Sequence, residues 1–376
     1  VLGLLAGRVA GIRWSLAFYA AALVAAAGTI ISAQGDTSFQ AIALLILAAL
    51  AYVIAAVESR PDVLLVALAL GGLALGTGAS ALRLASWQST LAFVALGWLY
   101  TLGAAGWAAI PWLRPTRGVW WAGARSPQAQ NPWRDPRIAG RRVHRIGGFL
   151  VGAGASLAGI FAPGAFDIHN PQTLTAAISL LALAGLLIII VPRVWVRSGT
   201  GALAQRSWFR LALYLAGELV ALAITWMARW LGADNVQWFV LAPGSYMLLV
   251  GAFLPADQRV PHARRIGQFT SLAASLLLML PTLYQTFTEP SLTAEFVYGS
   301  VVLLEALVIV GLGVGIHSRL LVLVGSAFIG VDTLGGAALA VQKGVPIGLV
   351  IGVLALVLIG LATWLSLRIR REESQP

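Results

Sequence analysis

The chain has 376 residues, 59% of them apolar and 10% charged, and its mean hydropathy is +0.86. A water-soluble fold cannot hide that much apolar surface, so the composition excludes a soluble domain. It calls instead for an all-α, polytopic transmembrane bundle, with room for about twelve spans of ~20 residues.

Apolar runs of spanning length predict helices over 14–32, 39–57, 63–80, 91–113, 146–163 and 173–191. Six more follow over 210–231, 236–254, 266–286, 292–317, 320–341 and 346–367. The runs are continuously apolar and rich in Ala, Leu and Gly, which separates them from the ten-residue alternating segments of a β-barrel. Residue 1 is Val, and nothing near it reads as a cleavable signal peptide.

The arginines orient these spans. With the N-terminus in the cytoplasm, all of the 25 basic residues except Arg83, Arg229 and Lys343 fall on the cytoplasmic side. That asymmetry is the positive-inside pattern, and with an even number of spans it places both termini in the cytoplasm. The net charge of +11 is therefore a mark of topology, and nucleic acid is not an expected partner.

The longest connection, 114–145, divides the chain into an N-terminal four-helix membrane part, 1–113, and a C-terminal eight-helix part, 146–376. It holds four prolines and three tryptophans, a composition that resists a regular helix. Its arginines are Arg114, Arg117, Arg125, Arg134, Arg137, Arg141, Arg142 and Arg145. They are expected to meet anionic phospholipid headgroups, with the tryptophans at the interface. The outer connections are short, which argues against an extracellular domain.

Small-residue spacing marks packing faces at Gly72/Gly76, at Gly148/Gly152 and along Gly344, Gly348 and Gly352. The segments GGLALGTGAS, from Gly71, and GGFLVGAGAS, from Gly147, match locally. Composition alone produces such likeness, and both read as helix-packing faces.

Charged groups at membrane depth are costly, and three carboxyls stand there: Glu218, Glu305 and Asp332. Glu305 and Asp332 lie about equally far from the turn at 317–319, which predicts matching depth in a hairpin. Converging faces would make them a pair unable to ionise together, a device for proton or cation coupling. The bland alternative is a protonated carboxyl hydrogen-bonded to a neighbour such as Ser300, Ser326, Thr333 or Thr225.

No cofactor or metal is expected. Cysteine is absent, and His144, His169, His262 and His317 are expected in loops or at helix ends, none paired at metal-site spacing. Nucleotide-hydrolysis and hydrolase motifs are missing. An enzyme acting on lipid-linked substrates is disfavoured, because no sizeable loop gathers carboxylates and histidines.

The stretch from LYQTF (283–287) onward carries Glu305, GVGIHSR (313–319), Gly325, Asp332, Pro346 and a closing RIRREE (368–373). It resembles the C-terminal hairpins of a broad group of uncharacterised bacterial polytopic membrane proteins. The resemblance implies a bacterial cytoplasmic membrane and assigns no activity. Two functions stay open: a proton- or cation-coupled transporter of a small solute, or a non-catalytic membrane subunit or scaffold, joined to partner subunits or to copies of itself.

Overall fold

The structure is a computed structural model and describes residues 35–110, 135–194, 202–256, 262–288, 291–342 and 344. The expected spans at 14–32 and 346–367 lie outside these residues, as do Arg114, Arg117, Arg125 and Arg134. Among the described residues the fold is all-helical. Its helices are α1 Thr37–Val57, α2 Pro61–Ala81, α3 Ser86–Ala109, α4 Pro136–Ile160 and α5 Pro171–Val194. They continue as α6 Ala202–Trp230, α7 Val236–Phe253, α8 Ala263–Thr288, α9 Leu292–Gly315 and α10 Arg319–Gln342. All 10 are long and apolar enough to cross a membrane.

The helix starts follow from local chemistry. Asp36 accepts from the Ser38 and Phe39 N–H groups, Asp135 from Arg137 and Asn235 from Gln237. Each satisfies an orphan donor that hydrocarbon would leave bare. Pro61, Pro136 and Pro171 occupy first helical turns, where no N–H is missed.

The bounds of two expected spans are corrected. Helix α4 begins at Pro136, ten residues before the apolar run, because Asp135 and Pro136 start it while its arginines depress local hydropathy. Arg137, Arg141, Arg142, Arg145 and His144 therefore lie on a helix and not in a loop. Helix α3 opens earlier, at Ser86, where Gln88 caps the Ala85 N–H. It closes at Ala109, because Ile110 is extended ahead of Pro111.

The helices form two compact units that divide between Ala233 and Asp234. In the first unit, α3 and α4 on either side of the long basic connection pack closely. A Cβ on Gly97 would lie 2.8 Å from the Gly148 carbonyl oxygen and clash with the Gly152 backbone. Lipid tails are as apolar as the helices, so such pairs are held by van der Waals contact and hydrogen bonds between backbones brought close. The expected Gly148/Gly152 face is thus a packing seam. A Cβ on Gly72 would meet no neighbouring helix within 4 Å, and Gly71 instead makes room for the Tyr100 hydroxyl.

In the second unit, α8 packs against α7, α9 and α10, and α9 against α10. Gly313 and Gly325 set the α9–α10 register, since their missing Cβ atoms make way for Leu321 and Val310 respectively. The apolar core gathers Leu278, Met279, Ala306, Ile309, Val310, Leu321, Phe328 and Ile329.

The α3–α4 seam makes a direct prediction. Gly97→Val should destabilise the detergent-purified protein by about 3 kcal/mol through overpacking. Gly106→Ala, with nothing within 4 Å of its Cβ position, should leave the unfolding midpoint within about 0.5 kcal/mol of the parent.

Candidate functional site

Helix α8 supplies the polar lining of the second unit. Ser271, Ser275, Thr282 and Thr286 recur at spacings that share one helix face, and all are buried. Ser275 donates to the Ser271 carbonyl, Thr282 to Leu278 and Thr286 to Thr282. These three hydroxyls therefore satisfy their donors within their own helix and keep oxygen lone pairs free to accept.

Glu305 of α9 meets this face, with its carboxyl in hydrogen-bonding reach of the Thr282 hydroxyl. Its Oε2 is buried and has no partner. The neighbour is thus a threonine of α8. Ser326 is exposed, and the Thr333 hydroxyl donates to the Ile329 carbonyl.

Asp332 of α10 is only 8% exposed, and its Oδ1 has no hydrogen-bond partner. It stands opposite Gly299, where an added Cβ would lie 3.5 Å from Oδ1 and 3.8 Å from Oδ2. The Thr286 methyl lies 3.6 Å from the same position. Gly299 is six residues from Glu305, about 9 Å along the helix axis, so the two carboxyls are staggered and not at matching depth. The hairpin register set by Gly313 and Gly325 causes the offset. Thr282 and Thr286 repeat it on α8, one with each acid.

A third polar layer adjoins Asp332 toward the N-terminus of α7. The Asn235 side chain accepts from Gln285 Nε2 at 3.1 Å and lies 3.5 Å from the Tyr298 hydroxyl. Gln285 Oε1 and Gln237 Nε2 are buried without partners. One unit therefore stacks three layers: Asn235, Gln285 and Tyr298; then Asp332 and Thr286; then Glu305 and Thr282. Asn235, Gln285 and Tyr298 escaped the sequence reading because they carry no charge, and charge was the signal that singled out the deep polar groups.

Glu218 belongs to the first unit, on α6. Its Oε2 is buried and unpartnered. Arg60 pairs with Asp62, and among the described residues no ion pair joins a cation to Glu218, Glu305 or Asp332. Arg229 is held at the end of α6, donating to the Phe166 carbonyl at 2.8 Å and the Ala233 carbonyl at 3.0 Å.

The first unit also holds a buried cluster that contradicts one expectation. His169, His262 and His317 stand in turns with positive φ, as expected of loop residues. His144, however, is 2% exposed within α4. Its Nε2 lies 3.3 Å from the Tyr52 hydroxyl, and its ring packs over Gly103 and beside Trp107. The Trp107 indole donates to the Pro136 carbonyl at 3.0 Å, and Tyr100 donates to the Leu68 carbonyl at 2.7 Å. The signal for His144 was present as a four-residue spacing: Gly140, His144, Gly148, Gly152 and Ser156 are all buried.

Among the described residues no three His, Cys, Asp or Glu side chains converge as metal ligands. No protein-family model, curated protein or solved structure matches the chain.

The aromatic cluster predicts a stability pattern. Trp107→Phe should cost about 1–3 kcal/mol by removing the buried indole's hydrogen bond to the Pro136 carbonyl and part of the ring's packing, whereas Tyr52→Phe should cost about 1 kcal/mol. Denaturant unfolding in micelles reads both.

Proposed function

We propose that this multi-pass membrane protein moves protons or small cations through its second unit, with Asp332 and Glu305 as successive stops, in the manner of a coupled transporter. The observation that carries this reading is the pair of staggered carboxyls, each with a buried unpartnered oxygen and each beside a threonine of one polar face. A purely structural acid in hydrocarbon satisfies its oxygens, because each unpartnered one is costly. Acids left partly unsatisfied, without a cation beside them, have the chemistry of a group that exchanges a bound ion.

The reading extends to the membrane itself. The arginine-rich cytoplasmic side, in a bacterial cytoplasmic membrane, would hold anionic headgroups through Arg137, Arg142 and Arg145 and the loop arginines. Glu218 sits in the other unit and carries no assigned step.

A second reading, a non-catalytic subunit, draws on open small-residue positions. Nothing among the described residues lies within 4 Å of the Cβ positions of Gly311, Gly315, Gly330 and Gly336. Small residues on helix faces let partner helices approach. Stoichiometric copurification of another membrane protein from native membranes would favour it.

Flux into proteoliposomes under an imposed pH gradient or membrane potential distinguishes the two. Glu305→Gln and Asp332→Asn should each slow uptake at least about tenfold relative to the parent, about 1.4 kcal/mol in barrier height. Equal, background-level flux in all three proteins would overturn the transport reading.

A further inference from the structure

Thr282 has one hydroxyl proton and two acceptors for it. The residue is fully buried where α8 meets α9: Leu278 and Met279, one turn before it, share an apolar cluster with Ala306, the residue after Glu305. Its hydroxyl donates to the Leu278 carbonyl at 3.2 Å, and the Glu305 carboxyl lies in hydrogen-bonding reach of the same oxygen. While the proton points at Leu278, Thr282 meets Glu305 only as an acceptor, and the matching partner is the O–H of a protonated carboxyl. An ionised carboxylate accepts only, and it needs the Thr282 proton for itself.

We propose that Thr282 is a positioning residue that holds Glu305 in both protonation states by turning one hydroxyl. This deepens the transport reading and rests on it for its place in the cycle. In the loaded state Glu305 donates to Thr282, and Thr282 donates to Leu278. On release the Glu305 O–H bond breaks, its electron pair stays on the carboxylate, and the proton leaves to water as hydronium. The Thr282 O–H then swings about its Cβ–Oγ bond from Leu278 to the carboxylate, and no covalent bond of the threonine breaks. Loading reverses each step.

The swing costs the helix little. The Leu278 carbonyl keeps the Thr282 backbone N–H as its helical donor. Pro281, inside α8, withdraws a donor from the Leu277 carbonyl and leaves Leu278 served. A carboxylate with no donor in hydrocarbon is far costlier, and a hydrogen bond to an ionised oxygen is about twice as strong as a neutral one. Asp332 differs: its Oδ1 is unpartnered, and Thr286 sends its proton to the Thr282 carbonyl and its methyl carbon toward Gly299. The device belongs to Glu305.

Thr282→Val keeps the branched shape without the hydroxyl, and Thr282→Ser restores the hydroxyl. The first readout is infrared spectroscopy at acidic pH, with the Glu305 C=O stretch identified as the band lost in Glu305→Gln. In Thr282→Val that band should move to the higher wavenumber of an unbonded carboxyl, and Thr282→Ser should recover the parent position. The second readout is proton uptake into proteoliposomes, which should slow at least about tenfold in Thr282→Val, about 1.4 kcal/mol of barrier, and be largely rescued in Thr282→Ser. An unshifted band in Thr282→Val would overturn the inference. So would parent-like uptake by that variant beside an active parent, or a serine variant that behaves as the valine one. Should Thr282→Val fail to fold, the parent band decides: a position below that of an unbonded carboxyl supports the pairing, and the unbonded position overturns it. A shifted band in Thr282→Val together with background uptake in the parent would remove the transport reading and leave the Thr282–Glu305 pairing standing.

Discussion

A span through hydrocarbon has no water to complete its hydrogen bonds, and this constraint governs every polar side chain described above. Most are satisfied from within. The α8 hydroxyls donate to carbonyls one turn back. Tyr100 reaches the Leu68 carbonyl and Trp107 that of Pro136. Several buried polar atoms lack a partner, the Ser156 and Ser179 hydroxyls and the Gln237 and Gln285 amides among them, and the oxygens of Glu218, Glu305 and Asp332 stand apart in belonging to ionisable carboxyls, where function is sought.

The same constraint explains the use of glycine. With no hydrophobic force drawing one helix to another, contact between backbones must do the work, and it demands bare Cα atoms. Gly97 and Gly152 bring α3 and α4 together across the basic connection, and Gly313 and Gly325 fix how α9 slides along α10. That register is not incidental to the site. It staggers Glu305 from Asp332 and leaves Gly299 as an empty position opposite a carboxylic acid. Packing and polar chemistry are thus set by the same residues.

Much of the helical architecture was legible in the sequence because apolar runs of spanning length have few alternatives. Ten expected spans have counterparts among α1 to α10, most within a few residues. The failures share a cause. Hydropathy averages residues, so it ended α4 where arginines begin and hid the helix that Asp135 and Pro136 start. His144 was misplaced with it, although the four-residue spacing through Gly140 and Gly148 marks its face. The carboxyls were found because charge stands out against an apolar run. Their relation was not, because counting from a turn gives depth only to within a turn of helix, and the register lies in glycine contacts that sequence does not order. Asn235, Gln285 and Tyr298 were missed for want of any charge.

The account centres on whether the interior of the second unit is hydrated around its acids or dry. Hydrogen–deuterium exchange of the Glu305 and Asp332 carboxyls in the parent protein, reconstituted in bilayers, measures this directly, with each stretch assigned by its amide variant. Both bands should shift promptly on contact with D2O, because water reaches each acid. Carboxyl bands that stay unshifted for hours, while exposed amides exchange, would mean dry, packed acids and would contradict the account.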